Sequence, residues 1–338
     1  MADRLRVAVI GMGAMGGNHA RVYSELPDAE LVAVADCDES RLSDAPARAY
    51  GDYHRLLAEE RLDAVSIAVP TRRHLETALA CIERGVPLLV EKPLAASVVE
   101  GERIRAAAEA RGVPLAAGHI ERCNPAVVEL KRRLDAGEIG RVLQMRAVRV
   151  GPFHQRHRDI GVVYDLATHD IDVMRHLLGC EVERARAETQ RGVRTEFEDA
   201  LLGLLRFEDG VIGSLEVNWL TPVKQRTLAV VGENGMFVAD YIRQELRFYD
   251  STPDPDPSPS KDAANTTHIE AERQEPLRVE RQEPLRVELA AFLRASRELE
   301  PPLVGAADAI AAMRVAEALV ASARLGDAVQ VPVGEAGR

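Results

Sequence analysis

The chain has 338 residues, of which 46% are hydrophobic and 4% aromatic, and its net charge is −11. This length allows two domains of ordinary size, and the negative charge argues against a nucleic acid or an anionic membrane as partner. We find no signal-peptide pattern and no apolar run as long as a membrane span. The cysteines form no CxxC pair, so we expect reduced thiols, a cytoplasmic location and no structural zinc. They are Cys37, Cys81, Cys123 and Cys180.

The first motif is a glycine-rich turn after a short apolar run. Residues 6–10 predict a strand, Gly11, Gly13 and Gly16 form a GxGxxG pattern, and a helical pattern follows. The glycines permit a tight turn, the approach of a pyrophosphate and close helix packing, while the helix N-terminus attracts the phosphates. We therefore predict a dinucleotide site here. Its residues are Gly11, Met12, Gly13, Ala14, Met15 and Gly16.

An acidic residue strengthens this motif. Residues 31–35 predict a second buried strand, and Asp36 follows it, twenty residues after Gly16. A carboxylate there can accept hydrogen bonds from the ribose 2′-OH and would repel a 2′-phosphate. Because Cys37 and Asp38 follow rather than an arginine, we expect NAD rather than NADP. The alternative is a surface aspartate in a loop.

Strand and helix patterns alternate over residues 1 to about 120, as a parallel sheet requires. Further strands are predicted at 64–69, 88–90 and 115–117, and helices at 53–59, 73–84 and 97–110. The carboxyl ends of such strands share one edge, where a ligand crevice forms. We expect at this edge Gly11, Asp36, Pro70, Glu91 and Gly118.

Lys92 is the first candidate catalytic residue. It follows a predicted strand and precedes Pro93. Beside a nicotinamide, a lysine can donate a hydrogen bond to the reacting oxygen and stabilise the negative charge that develops there. The alternative is a solvated surface lysine.

A locally basic run follows the strand predicted at 142–150. It contains His154, Arg156 and Arg158. In an acidic protein, such a run can bind a phosphorylated substrate through charge-assisted hydrogen bonds. The alternatives are a solvated loop and a subunit contact.

A helix is predicted at 165–179, with one apolar stripe and one polar stripe. Asp165, His169, Asp172 and His176 are spaced by four, three and four residues, so they share a face. Two aspartates and two histidines together are compatible with a metal site or with a polar face in solvent.

The C-terminal part predicts a hairpin at 201–219 and further strands at 227–231 and 235–240. A segment rich in Pro, Asp and Ser, at 251–267, predicts a mobile loop. The octapeptide 273–280 is then repeated at 281–288. We expect the second copy to begin a helix near Pro284 and the first to lengthen the preceding loop or strand.

The chain resembles the Gfo/Idh/MocA family of NAD(P)-dependent oxidoreductases. The similar segments are the glycine turn, residues 69–74, residues 91–94 and residues 118–125. The resemblance implies an α/β fold in which 1–121 form a Rossmann domain with a doubly wound parallel sheet. It also implies that 122–338 form a substrate-binding α/β domain with a large, open, mostly antiparallel sheet. Such a sheet is often an oligomer interface, so we expect a homodimer or homotetramer.

The resemblance also assigns roles. Further cofactor contacts are expected from Pro70, Thr71, His74, Glu91 and Lys92, and a cis bond is implied before Pro93. The pattern D-x-x-x-H-x-x-D matches the family's catalytic helix. It makes His169 the general base and acid, while Asp165 orients it or binds a substrate hydroxyl. Substrate contacts are expected from His119, Arg122, Asn124, His154, Arg156, Arg158 and Asp165.

Longer segments, at 118–125, 149–162 and 165–172, resemble the UDP-N-acetylglucosamine 3-dehydrogenases of this family. That subgroup oxidises the sugar 3-OH so that an aminotransferase can follow. Cys123 departs from the pattern, because an aromatic residue is expected there. The alternatives are oxidation of a free polyol such as inositol, a sensor that binds NAD without turnover, and a metalloprotein that uses the polar stripe.

Overall fold

The computed structural model describes residues 4–153, 160–251, 274–298 and 300–332. The basic residues His154, Arg156 and Arg158 and nearly all of the loop predicted at 251–267 lie outside these ranges. Within them, no helix combines the length and the apolar character needed to cross a membrane.

The first sheet is parallel and contains six strands within the described residues. In chain order they are β1 (Leu5–Ile10), β2 (Ala29–Ala35), β3 (Arg48–Tyr50), β4 (Ala64–Ile67), β5 (Leu88–Glu91) and β6 (Leu115–Gly118). Their order across the sheet is β3-β2-β1-β4-β5-β6. The direction of winding reverses beside β1, where such folds bind dinucleotides. The expected doubly wound sheet is confirmed, although the short strand β3 was not predicted.

Helices cover both faces of this sheet. They are α1 (Ala14–Glu25), α2 (Tyr53–Glu59), α3 (His74–Glu83) and α4 (Val98–Arg111). The ends of α4 follow ordinary capping rules: the Ser97 hydroxyl accepts a hydrogen bond from the backbone N–H of Glu100, and Gly112 ends the helix in the left-handed conformation. Because helices lie on both sides, the central strands are almost continuously apolar.

The second sheet contains nine strands within the described ranges. They are β7 (Val142–Pro152), β8 (Val182–Arg191), β9 (Glu198–Phe207), β10 (Ile212–Asn218), β11 (Leu220–Gly232), β12 (Gly235–Asp240), β13 (Glu245–Asp250), β14 (Gln274–Leu277) and β15 (Val329–Gln330). Their order is β14-β13-β12-β11-β7-β10-β9-β8-β15. β7 and β10 run parallel to each other, and every other described pair of neighbouring strands in this sheet is antiparallel. The expected mostly antiparallel sheet is confirmed.

One face of the second sheet packs against helices, and within the described ranges no helix covers the other, open face. The covering helices are α5 (Pro125–Asp135), α6 (Thr168–Leu178) and α8 (Ala306–Leu325). Residues alternate across the sheet, so Leu201 and Leu205 of β9 lie in the core while Leu202 and Leu204 are exposed.

The C-terminal helices also complete the first half of the molecule. α7 (Pro284–Glu298) places Leu289 and Phe292 in a core with Val7 and Val9 of β1. α8 contributes Ile310 to the core of the first sheet, and its other residues reach the core of the second. The two sheets are therefore tied together by α8. A domain boundary at 121/122 remains a prediction.

Candidate active site

The glycine turn has no room for side chains at two positions. Gly11 has a φ of +95°, and a Cβ there would lie 2.6 Å from the carbonyl of Ala68. A Cβ on Gly16 would lie 1.6 Å from the carbonyl oxygen of Gly11, so α1 packs directly on the turn. Ala14 and Met15 begin α1, whose first turn carries no acidic residue and no side-chain cap from Gly13. Its backbone N–H groups suit an anionic pyrophosphate.

Asp36 lies beside this turn. Its Oδ2 atom accepts a 2.7 Å hydrogen bond from the backbone N–H of Met12, and its Oδ1 atom accepts one of 2.9 Å from Asp38. Arg41 Nη1 lies 3.4 Å from Oδ2, because a 3₁₀ turn returns the chain towards the strand end. The sequence prediction considered only the two residues after Asp36 and missed Arg41. The uncapped helix and the carboxylate together fit a dinucleotide with a free ribose hydroxyl.

His74 joins the loops at the ends of β4 and β5. Its Nδ1 atom lies 2.9 Å from the carbonyl oxygen of Pro93, and its Nε2 atom lies 2.9 Å from that of Val69. Burial lowers the pKa of this imidazole, although the two backbone contacts oppose the shift. His74 thus holds Pro70 and Thr71 close to the end of β5. Direct contact of these three residues with a cofactor stays a prediction.

Glu91 is held from two sides. One carboxylate oxygen lies 2.9 Å from His19 Nε2, and the other accepts a 3.2 Å hydrogen bond from the backbone N–H of Lys92. Burial opposes ionisation of Glu91, but the hydrogen bond from His19 and the charge of Lys92 outweigh it and lower the pKa. The bond between Lys92 and Pro93 is cis, as the resemblance implied.

Lys92 meets a residue from the second half of the chain. Its Nζ atom donates hydrogen bonds to the Asp165 carboxylate at 2.6 Å and to the Asp165 carbonyl oxygen at 2.8 Å. The residues are 73 positions apart in sequence. Asp165 lies in a short π-helix, Val163–Ala167, so the helix predicted at 165–179 is instead divided between this turn and α6. Such turns occur frequently at functional sites.

His169 lies in the first turn of α6, and its side chain is buried. Its Nδ1 atom has no hydrogen-bond partner within the described residues. Burial, followed by the charges of Lys92 and Arg149, lowers the pKa of His169 well below 6.5. The imidazole is therefore neutral near pH 7 and able to accept a proton. We call Lys92, Asp165 and His169 the reactive cluster.

The remaining acidic residues of α6 are paired with arginines. Asp170 accepts hydrogen bonds from Arg149 at 2.6 and 3.1 Å, and Asp172 accepts two from Arg122 at 2.6 and 2.8 Å. Arg149 also donates to Glu121 at 2.9 Å. We call these five residues the paired cluster. Asp172 is buried. The alternative that the polar stripe of this helix faces solvent is therefore wrong.

The described residues contain no group of three or more His, Cys, Asp or Glu side chains arranged to hold a metal ion.

The predicted substrate residues that the structure describes are all buried. His119 Nδ1 lies 3.8 Å from Asp172. Arg122 also contacts Asp308 at 3.1 Å, so its guanidinium joins α6 to α8. Asn124 caps α5 and donates a 3.0 Å hydrogen bond to the Tyr241 carbonyl oxygen. Substrate contacts from His119, Arg122 and Asn124 stay predictions.

Sequence reasoning missed a second arginine beside Arg149. Arg226 lies on β11, directly opposite Arg149 on β7. Its side chain is one of the electrostatic neighbours of His169. The signal that could have found it is the pairing of β7 with β11, which joins residues 77 positions apart in sequence.

Comparison with known proteins shows which family the chain belongs to. The model "Oxidoreductase family, NAD-binding Rossmann fold" matches residues 5–119, and that of the GFO/IDH/MocA C-terminal domain matches residues 127–238. UDP-N-acetylglucosamine 3-dehydrogenase of Acidithiobacillus ferrooxidans is 31% identical over 249 residues, which cover 72% of this chain and 77% of that protein. The chain belongs to the Gfo/Idh/MocA family.

Other relatives are named for a different substrate. Inositol 2-dehydrogenase 2 of Saccharopolyspora erythraea is 36% identical over 224 residues, which cover 63% of this chain and 66% of that protein. A solved structure of the A. ferrooxidans enzyme, GnnA, covers 95% of this chain and 98% of its own at 25% identity, with a TM-score of 0.83.

A bound cofactor is seen in another solved relative. GenD2, from gentamicin A biosynthesis, was solved in complex with NAD; the match covers 98% of each chain at 29% identity, with a TM-score of 0.82. The protein is thus an NAD-dependent oxidoreductase of the Gfo/Idh/MocA family.

Proposed function

We propose that the protein oxidises a secondary alcohol of a sugar to a ketone, and that the reacting group is the 3-OH of UDP-N-acetylglucosamine. The observation that carries the reaction type is the contact of Lys92 with Asp165 beside the buried, neutral His169. This cluster lies at the carboxyl edge of the parallel sheet, where a nicotinamide is expected.

The roles of the reactive cluster follow from its chemistry. Bound NAD supplies a nicotinamide ring that accepts the hydride. Lys92 donates a hydrogen bond to the substrate oxygen and stabilises its developing negative charge. His169 accepts the hydroxyl proton, and Asp165 holds the ammonium group of Lys92 in position.

Two sets of observations bear on the substrate. The similarity to UDP-N-acetylglucosamine 3-dehydrogenase and the basic run at 154–158 support a nucleotide sugar. The inositol 2-dehydrogenase at 36% identity favours a free polyol as the second candidate. A sensor that binds NAD without turnover has no use for Lys92 and His169, so we place it behind both.

The first experiment is to follow NADH formation with UDP-N-acetylglucosamine, free N-acetylglucosamine and myo-inositol. An aminotransferase with glutamate should be present to consume the ketone, because its formation is unfavourable. Turnover with the UDP-sugar alone supports the proposal. Turnover with myo-inositol alone overturns the substrate but keeps the chemistry, and NAD binding without any turnover favours the sensor.

Two variants test the catalytic roles. We expect Lys92→Ala and His169→Ala each to lower kcat/KM by about 100- to 10,000-fold. Lys131→Ala is the matched control, because Lys131 lies on α5 and pairs only with Asp135 on the same helix among the described residues. Retention of more than a tenth of the activity in either catalytic variant would contradict the assigned role.

We also propose that the open face of the second sheet mediates self-association in the cytoplasm. Its exposed apolar side chains include Leu202, Leu204 and Ile212. Leu202 and Leu204 line a shallow depression of about 380 Å³ together with Arg186 and Glu188. Exposed apolar patches of this kind mark protein interfaces. Light scattering should show a dimer or tetramer for the wild type and a smaller species for Leu204→Glu. A monomeric wild type would contradict this proposal.

A further inference from the structure

Arg226 occupies an unusual place on the second sheet. It is paired with Arg149 across β7 and β11, and both side chains extend from the helix-covered face, as Leu228 does two residues further along β11. Two adjacent arginines on the inner face of a sheet repel each other, so the residue at each position needs a distinct partner.

The two guanidinium groups differ in how they are bound. The side chain of Arg149 is 1% exposed and donates three hydrogen bonds, to Asp170 and Glu121. The side chain of Arg226 is 33% exposed. Among the residues that the structure describes, its nearest carboxylate oxygen is the Glu121 oxygen already bound by Arg149, at 3.7 Å. Within the described residues, the guanidinium of Arg226 makes no hydrogen bond.

The unused donors of Arg226 lie next to the Arg149 pair that ends on α6. The Glu121 oxygen 3.7 Å from Arg226 is bound by Arg149, and Arg149 also binds Asp170, the residue after His169. Its charge interacts with Asp165 and lowers the pKa of His169. Burial and the nearby Arg149 lower the pKa of Arg226 itself, and a bound anion would offset both effects. A planar fork of N–H donors matches a phosphate, which presents several acceptor oxygens.

We propose that Arg226 binds a phosphate of the nucleotide sugar and thereby selects the substrate. This inference rests on the proposed function and names a residue for it. The sugar carbon that reacts lies a few bonds from the diphosphate, so one arginine at the border of the reactive cluster can contact the phosphate while Lys92 and His169 act on the ring.

The test compares Arg226→Gln and Arg226→Lys with Arg247→Gln. Arg247 is a matched control, because its guanidinium also lies 3.7 Å from a carboxylate but extends from the opposite face of the same sheet. We expect Arg226→Gln to raise KM for UDP-N-acetylglucosamine by about 10- to 100-fold with a smaller change in kcat. Arg226→Lys should recover part of the loss, and KM for NAD should not change.

A pH profile supplies an independent readout. His169 faces Lys92, His119, Arg149 and Arg226. Removing the charge of Arg226 should raise the pKa of His169, so the acid limb of kcat/KM should move upward by up to about one pH unit in Arg226→Gln. The limb should stay in place in Arg226→Lys, which keeps the charge.

The outcomes separate this inference from the proposed function. Turnover of the UDP-sugar by the wild type with an unchanged KM in Arg226→Gln overturns the role of Arg226 alone. A lowered melting temperature with equal losses for every substrate also overturns it, because it indicates a structural role. If calorimetry shows that the NAD-loaded wild type does not bind UDP-N-acetylglucosamine, both proposals fail.

Discussion

The paired cluster and the reactive cluster meet on α6, where Asp170 and Asp172 belong to the first and His169 to the second, and these buried groups are accommodated in different ways. In the paired cluster, Asp170 and Asp172 each meet a guanidinium through two hydrogen bonds. In the reactive cluster, His169 is buried with no partner for its Nδ1 atom among the described residues. The unpaired His169 and the paired Asp170 are consecutive residues of the same helix.

This difference shows how one helix can be both a scaffold and a catalytic element. A buried charge is tolerated when a matched charge and hydrogen bonds accompany it, and it is otherwise neutralised by a shift in pKa. The arginine pairs fix α6 against β7 and α8. His169, which lacks such a pair, stays neutral and is therefore available as a base.

The largest effect is expected from His169→Gln. Loss of the general base should lower kcat by about 100- to 10,000-fold.

The same substitution should also change how the free energy of unfolding depends on pH. The folded-state pKa of His169 lies below 6.5, so the folded protein binds fewer protons than the unfolded chain, and the free energy of unfolding falls as pH drops from 6.5 through the folded pKa. His169→Gln should lose this acid sensitivity.

Urea unfolding at neutral and acidic pH measures the second effect. The control is His54→Gln, because His54 is exposed on α2. An equal dependence on pH in wild type and His169→Gln would show that His169 is already partnered in solution, and the distinction between the two clusters would fail.

The next effect is expected in the paired cluster. Arg149→Met should lower the free energy of unfolding by about 3–5 kcal/mol, because Asp170 and Glu121 lose a buried partner. Adding Asp170→Leu should restore part of the loss by removing one uncompensated carboxylate. Denaturant titration measures both variants. A loss below about 1 kcal/mol would mean that this buried ion pair stabilises the fold no more than an ordinary surface ion pair does.

The sequence predicted the first sheet well because its signals are local. A strand buried on both faces is a short apolar run, and the glycine turn has a fixed spacing around Gly11. β8 was not predicted, because its sequence is mostly polar and its core-facing residues are one valine, Val182, and the small Ala185 and Ala187. Strands of that kind depend on their neighbours more than on their own composition.

The site was only partly predictable. Lys92 and Asp165 could be named through the family resemblance, but their contact joins residues 73 positions apart. Nothing in the local sequence distinguishes Arg149, which is fully paired, from Arg226, which is not. That distinction depends on strand pairing between β7 and β11, and no periodicity within either strand records it.

The repeated octapeptide makes the same point with identical residues. The first copy supplies β14 at the edge of the second sheet, and the second copy begins α7. Both positions tolerate proline: Pro276 lies in an edge strand and Pro284 at the start of a helix. Local sequence cannot choose between them, so the surrounding structure does.

Glu288 is a third kind of buried titratable group. It lies on α7, and neither of its carboxylate oxygens has a hydrogen-bond partner within the described residues. Burial and the charge of Glu91 raise its pKa well above 4.5. The folded protein therefore binds more protons than the unfolded chain, and stability falls as pH rises from 4.5 through the folded pKa.

Glu288→Met should remove this loss. We expect a gain of about 1–3 kcal/mol near neutral pH, since two unsatisfied acceptors disappear, and a smaller gain at pH 4. Thermal unfolding across this pH range tests it, with the exposed Glu283→Met as control. A variant less stable than the wild type at every pH would mean that Glu288 has a partner in solution.

The smallest effect is expected at the border of the paired cluster. Glu181 binds Arg175 through two hydrogen bonds, but its side chain is 45% exposed. Arg175 also donates a 3.2 Å hydrogen bond to the Asp308 carbonyl oxygen, and this bond does not involve Glu181. Glu181→Ala should therefore cost at most about 1 kcal/mol, and the cost should shrink in high salt. A loss as large as that of Arg149→Met would mean that pairing geometry, rather than burial, determines how strongly these arginines hold α6.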